Sequence, residues 1–307
     1  MPRSVFFTKI LTTILVSVAL VLAHSPLATA SDDINDLPPR WEYGGGLGVA
    51  NFEHYPASSQ MTTLIVPIPL FKYRGSVIRA DDREGTRAHL LREDNWVLDF
   101  SGGAWPGKGL AEDDARKGMD ELPWIIDLGP QLVYNFNSDL KLKAGIFQAA
   151  STDFSSSRLA GVVEEIKIQW TWGSKKGGSE ANPEYRTNSQ LAFSVTFADR
   201  QFLSNYFDVG RKDVRSDRAF YEAVGGALEY DESYIQTWAF RDWRVIAVVD
   251  LANYDISANR SSPLHKSDHN LSGLLAVGYI FGQSKERSVP EKDSQGVINV
   301  IEERLEK

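Results

Sequence analysis

The chain of 307 residues contains no cysteine. An exported protein of this kind has no disulfide framework, so its stability comes from burial and hydrogen bonding. Histidine is scarce too: beyond residue 30 only His54, His89, His265 and His269 remain. No run after Ala30 approaches the eighteen or more apolar residues of a spanning helix. Positive charge is also short, with 33 basic against 41 acidic residues and a net charge of −8. That balance argues against nucleic acid as a partner.

What the chain does have begins at its N-terminus. Arg3 and Lys9 precede an apolar stretch over residues 10–23, and Ala28-Thr29-Ala30 is an A-x-A cleavage site. This reads as a secretory signal over residues 1–30, cut to leave Ser31 first, rather than as an anchoring helix, for which the apolar run is short. No cysteine follows the cut, so no lipoprotein anchor is expected. Loss of Arg3 and Lys9 leaves 31 basic against 41 acidic residues, a net charge of −10. The mature chain, about 277 residues, reads as one domain because the pattern below runs on without a linker.

That pattern is a two-residue alternation. From residue 124 to 136 the even positions are Trp124, Ile126, Leu128, Pro130, Leu132, Tyr134 and Phe136, with Asp127, Gly129, Gln131 and Asn135 among the odd ones. Leu140, Leu142, Ala144 and Ile146 alternate with Lys141 and Lys143; Ile166, Ile168, Trp170 and Trp172 alternate with Glu165, Lys167 and Gln169. Successive strand side chains point to opposite faces, so each segment has one oily and one wet side. Further segments lie at 41–51, 62–73, 96–104, 190–198, 234–240, 243–254 and 270–281. Pro67 and Pro69 in the second of these suggest a bulge or a poorly paired stretch. Residues 76–92 form either one long strand or two short ones bent at Arg83-Glu84-Gly85. The second choice gives twelve strands, an even number with both termini in the periplasm; ten is the alternative. With twelve, the connections at one end are short and those at 52–60, 105–121, 150–157, 199–230 and 255–268 are long, as extracellular loops are. Residues 173–187 are the exception, a connection of moderate length at the short-turn end.

A soluble sandwich or lipocalin-like barrel alternates as well. Two features favour a membrane barrel. The apolar faces end in aromatics, namely Trp41, Tyr43, Trp124, Tyr134, Phe136, Trp170, Trp172, Trp238 and Trp243, as an interfacial girdle does. The other face carries Lys141, Lys143, Glu165, Lys167 and Asp250, too many charges for a small packed core. The expected fold is therefore an all-β transmembrane antiparallel barrel over 41–281, in the outer membrane of a Gram-negative bacterium. Residues 31–40 form a short periplasmic lead and 282–307 a periplasmic tail. Lipid and lipopolysaccharide surround such a barrel.

Leu275, Val277, Tyr279 and Phe281 alternate and end Tyr-x-Phe. This resembles the terminal-strand signal read by the outer-membrane barrel assembly machinery, although here 26 residues follow it. Several stretches, in order, resemble the MipA/OmpV family (MltA-interacting protein). They are Gly44-Gly45-Gly46-Leu47-Gly48-Val49, Val66-Pro67-Ile68-Pro69-Leu70-Phe71-Lys72-Tyr73-Arg74-Gly75, Asn205-Tyr206-Phe207-Asp208-Val209, Asp242-Trp243-Arg244-Val245 and Ser262-Pro263-Leu264. The resemblance implies an outer-membrane barrel and, for the founding member, a scaffold joining a murein-degrading transglycosylase to a murein synthase. It carries no catalytic residues across.

The residues themselves offer no cofactor site. Gly102 to Lys108 has phosphate-loop spacing, but Gly109 stands where Ser or Thr is needed and no helix follows. The glycines from Gly44 to Gly48 precede no helix either, so they relieve crowding in a strand. His265 and His269 have helical metal spacing inside a predicted loop, which reads as a solvated loop. Glu112-Asp113-Asp114 reads as a solvated loop, with a cation bridging lipopolysaccharide as the alternative. No Ser–His pair is marked locally, so no enzyme is expected. Two functions stand: a scaffold for cell-envelope machinery, from the resemblance, and a passive pore for small solutes, from the charged inner face. Residues 282–307 read as a periplasmic tether whose Val297, Ile298, Val300, Ile301 and Leu305 share a helix face, or as an unstructured end.

Overall fold

A computed structural model describes residues 37–81, 84–105, 107, 113–152, 156–178, 183–290 and 293–305. The signal segment, with Ala28, Ala30 and Ser31, lies outside the described residues. Twelve strands form one closed antiparallel barrel: β1 (Trp41–Glu53), β2 (Met61–Arg74), β3 (Ile78–Asp81), β4 (Gly85–Arg92), β5 (Trp96–Trp105), β6 (Trp124–Asn135), β7 (Leu140–Thr152), β8 (Ser157–Gly178), β9 (Pro183–Ala198), β10 (Gly226–Phe240), β11 (Trp243–Asn253) and β12 (His269–Gln283). Each strand pairs with its sequence neighbours, and β1 closes the ring on β12. No described helix is long and apolar enough to cross a membrane.

The alternation becomes two surfaces with reversed chemistry. On β6, Ile126, Leu128 and Leu132 stand outside and exposed, while Ile125, Asp127 and Val133 are buried inside. The inner residues of the other strands include Arg87, His89, Asp99, Lys143, Gln169 and Thr196, all buried. An oily exterior around a polar interior is what a bilayer demands, because only a closed ladder satisfies every backbone group there.

Residues 76–92 do split, into β3 and β4, and this hairpin is short. β2 pairs with β1 from Trp41↔Tyr73 to Glu53↔Met61, but with β3 only at Tyr73↔Ala80 and Arg74↔Arg79. Among the described residues, Met61–Lys72 of β2 is therefore paired on one edge alone. Pro67 and Pro69 sit in that one-sided stretch, where a missing N–H costs no ladder bond. Of the two expectations at the prolines, the poorly paired stretch holds and the bulge does not: the β1–β2 register runs through them without a shift. Next to β2, β1 is rich in glycine because β2 and β12 crowd it. A Cβ at Gly46 would stand 2.2 Å from the Val277 carbonyl oxygen, and one at Gly278 would meet Leu70 at 2.5 Å.

At the end where β1 begins and β12 finishes, the terminus end, the turns after β2, β4, β6 and β10 are short. The connection over 173–187 is mostly strand. β8 and β9 stay paired out to Gly178↔Pro183, past the last pair of β7 and β8 at Leu140↔Trp170. The long connections gather at the opposite end and build the hydrophobic core. There helix α1 (Arg200–Phe207), capped by Asp199 through the Phe202 N–H at 2.8 Å, buries Phe202, Leu203, Tyr206 and Phe207. Tyr55, Val209, Leu228, Tyr254 and Leu264 pack against them.

The C-terminal segment lies across the terminus end of the barrel. Ser284 N–H donates to the Trp41 carbonyl at 2.9 Å, Val289 to Arg74 at 3.1 Å and Gln295 to Ser76 at 3.1 Å. It finishes in helix α2 (Val297–Leu305), where Asn299 Oδ1 accepts from the Arg92 N–H at 3.0 Å. The segment is thus neither a free tether nor an unstructured end. Its backbone donors meet carbonyls left open at the strand turns, which apolar periodicity alone does not register.

Candidate functional site: the barrel lumen

The lumen is filled in layers. Nearest the termini, Glu42 on β1 faces Arg74 at 3.5 Å, Arg244 at 3.7 Å and Lys72 at 4.0 Å. Strand parity puts all four side chains inside, and all are largely buried. One carboxylate shared by three cations is viable because each ion keeps a partner; burying any of them alone would be far costlier.

The next layer is made around the β3–β4 hairpin, whose Glu84 side chain reaches inward. Glu84 reaches across to Lys141, in a short contact, and to Lys143 at 3.5 Å, both on β7. Asp81 takes Arg87 at 3.1 Å and Arg79 at 3.7 Å. His89 and Asp99 meet at 2.5 Å, both fully buried, and Lys167 pairs with Glu165 at 2.9 Å. Every inner-face charge named from the alternation, apart from Asp250, is spent in this network.

The far end is covered by the core around α1. Trp105 is aimed inward because Asp127 accepts both its Nε1–H, at 2.7 Å, and the Gly103 N–H, at 2.6 Å. Its ring packs edge-on against Phe202 at 5.2 Å. Tyr55 donates to the Leu264 carbonyl at 2.8 Å, and Ser262 to that of Phe207 at 2.8 Å, tying three loops together. Arg116 donates to the Tyr206 carbonyl at 3.0 Å and lies 5.6 Å over the Tyr55 ring. Burial pulls the Arg116 guanidinium below its ordinary range, opposed by Tyr55 and Asp113, and pushes the Tyr206 phenol up. Between this cap and the ion network remains a cavity of about 210 Å³.

The loop candidates have local duties. Asp113 caps a short 3-10 turn through the Ala115 N–H at 2.8 Å and accepts from Ser58 at 2.6 Å, while Glu112 lies outside the described residues. His265 bonds Asp268 at 2.9 Å, a contact that holds that carboxyl below its usual range, whereas His269 faces Asn253 at 2.7 Å. The two histidines therefore share no ligand position. Among the described residues no group of three metal-ligating side chains is assembled.

The named aromatics lie mostly in one belt. Trp41, Tyr43, Phe136, Trp172 and Trp243 are exposed, and Tyr134, Trp170 and Trp238 half-buried, all near the terminus end. They touch across strands, as Trp96–Tyr134 at 4.5 Å and Trp243–Tyr279 at 5.1 Å. Trp124 stands apart at the opposite end, where β6 begins. Leu275, Val277, Tyr279 and Phe281 share the outer face of β12 and are all exposed. Sequence reasoning missed Glu53, Glu229, Tyr206 and Tyr254 at the cavity, since their meeting depends on strands and loops far apart in the chain.

Residues 45–281 match the family model described as MltA-interacting protein MipA. No curated protein matches the sequence. Among solved structures, the NanC porin in a rhombohedral crystal form aligns at 9% identity and a TM-score of 0.29, covering 78% of this chain and 99% of that one. OprB of Pseudomonas putida at high pH aligns at 9% identity and a TM-score of 0.22, covering 81% and 95%. At these scores neither likeness bears on function. The barrel lies in the outer membrane of a Gram-negative bacterium, and with the family match spanning most of its strands the chain belongs to the MltA-interacting protein MipA family.

Proposed function

We propose that this protein is a non-enzymatic, non-conducting scaffold whose terminus end faces the periplasm and docks murein-turnover enzymes. The observation that carries this reading is helix α2. Asn299 fixes it to the β4 turn, its Oδ1 accepting from the Arg92 N–H at 3.0 Å and its Nδ2 donating to the Arg92 carbonyl at 3.4 Å, yet Val297, Ile298 and Ile301 remain 38%, 42% and 51% exposed. An apolar face held in place at low entropic cost is the form of a helix that enters a partner's groove. The family description names an interaction with MltA, and a murein transglycosylase of that kind is the partner to try first. Replacing Val297, Ile298 and Ile301 by Ser should abolish co-purification with that enzyme while the barrel still migrates as a folded species in unboiled gels. Undiminished co-purification would contradict the docking role. The charged inner face favours a pore as second reading, and the cap over α1 opposes it.

A further inference from the structure

Beneath the cap, the cavity is acidic and aromatic at once. Glu53, Glu229 and Asp250 line it, with the rings of Tyr55, Trp105 and Tyr206 between them. Among the described residues none of these three carboxylates has a lysine or arginine nitrogen within 4.0 Å. Lys167, whose charge reaches Asp250, has its ammonium 2.9 Å from Glu165. Glu53 is met by neutral donors, the Tyr254 hydroxyl and the Asn270 amide. A second observation is independent of the acids. Tyr206 is 1% exposed, its hydroxyl has no hydrogen-bond partner among the described residues, and it lines the same cavity. Buried hydroxyls are nearly always paired, and an orphan asks for a ligand atom.

The acids surround a volume and do not converge on a point, and no metal-holding group of three is found among the described residues. Separated carboxylates with aromatic faces between them suit a cation that is extended and partly apolar. Ammonium groups then form charge-assisted hydrogen bonds while methylenes and charge lie on the rings. At about 210 Å³ the cavity has room for a short aliphatic chain. We infer that this cavity is a binding site for an aliphatic polyamine, its ammonium groups paired with Glu53, Glu229 and Asp250 and one N–H donated to the Tyr206 hydroxyl. Burial keeps that hydroxyl protonated, so it accepts through its oxygen and stays neutral.

The test is calorimetric titration of spermidine into the full chain in non-ionic detergent at physiological salt. The site predicts saturable one-to-one binding. Glu229→Gln with Asp250→Asn should weaken it at least tenfold, and Tyr206→Phe, which keeps the ring, several-fold. Asp120→Asn, an exposed acid paired with Lys212 at 2.7 Å, should leave it unchanged. If the double variant fails to show a folded band in unboiled gels, Tyr206→Phe carries the test. Absence of binding, or binding equal in wild type and Tyr206→Phe, would overturn the inference. So would a calcium titration that saturates the same carboxylates and blocks spermidine, which would make the cavity a metal site.

Discussion

Glu42 stands among Lys72, Arg74 and Arg244 with no second described carboxylate within 4.0 Å of Arg74 or Arg244. Removing one partner of a buried ion cluster leaves uncompensated charge, at about 3–5 kcal/mol. Glu42→Ala should therefore lower the melting temperature markedly, whereas Arg40→Ala, removing a partly exposed pair with Glu286 at 3.1 Å, should change it little. Thermal denaturation in detergent reads both, and equal shifts would contradict the layered lumen. Parity makes a second prediction at this scale. Val195 and Ile168 lie on the outer faces of β9 and β8, and Thr196 and Lys167 on the inner ones. Arg at Val195 or Ile168 meets lipid at a cost of about 2–4 kcal/mol near the midplane. Assembly, followed as the folded band in unboiled gels, should fall for those two and hold for Thr196→Ser or Lys167→Arg. Equal tolerance on both faces would mean the register is wrong. Which residues face lipid was legible in the sequence, because a period of two is a local property. The cavity acids were not, apart from Asp250: Glu53 and Glu229 lie 176 positions apart, and nothing local announces that two loop-end strands bring them together.

Among the elements, β2 is the unusual one, with Met61–Lys72 paired on a single edge among the described residues. A strand edge with free donors is a template for pairing with another chain, and proline blunts it. Pro67→Val with Pro69→Val should raise cross-linked dimer in detergent; a variant that stays as monomeric as the wild type would contradict this role for the prolines. The tail is the other exposed hypothesis. Its backbone bonds to Trp41, Arg74 and Ser76 contribute about 1 kcal/mol each. Truncation after Gln283 should leave a barrel that still inserts, ending close to Tyr279 and Phe281, but melts at lower temperature. Failure to insert would make the tail part of the folding unit. The strand count followed from the sequence because Arg83-Glu84-Gly85 interrupts the alternation. The length of β8 and β9 did not, since the glycine- and lysine-rich stretch after Trp172 loses the apolar period while its backbone goes on pairing.

For the whole molecule, the decisive feature is that ion pairs and a loop core lie inside the closed ring. Glu84 crosses the lumen to Lys141 and Lys143, the Glu42 cluster occupies the terminus end, and the buried core around Phe202, Tyr206 and Phe207 covers the other. Membership of the family was readable from ordered motifs along the chain; the ion pairs inside the lumen were not, because they depend on Glu84 of one short hairpin meeting Lys141 and Lys143 of a strand far along the chain. Apart from Asp250, the inner-face charges that suggested a channel are held in ion pairs, and on the function proposed above they fix the lumen's shape. Single-channel recording of the purified full chain in a planar bilayer tests this directly. The account predicts no stepwise conductance at moderate voltage, with current emerging only when the α1 segment is removed together with the Glu84 bridge. Steady open-state current from the intact protein would contradict it.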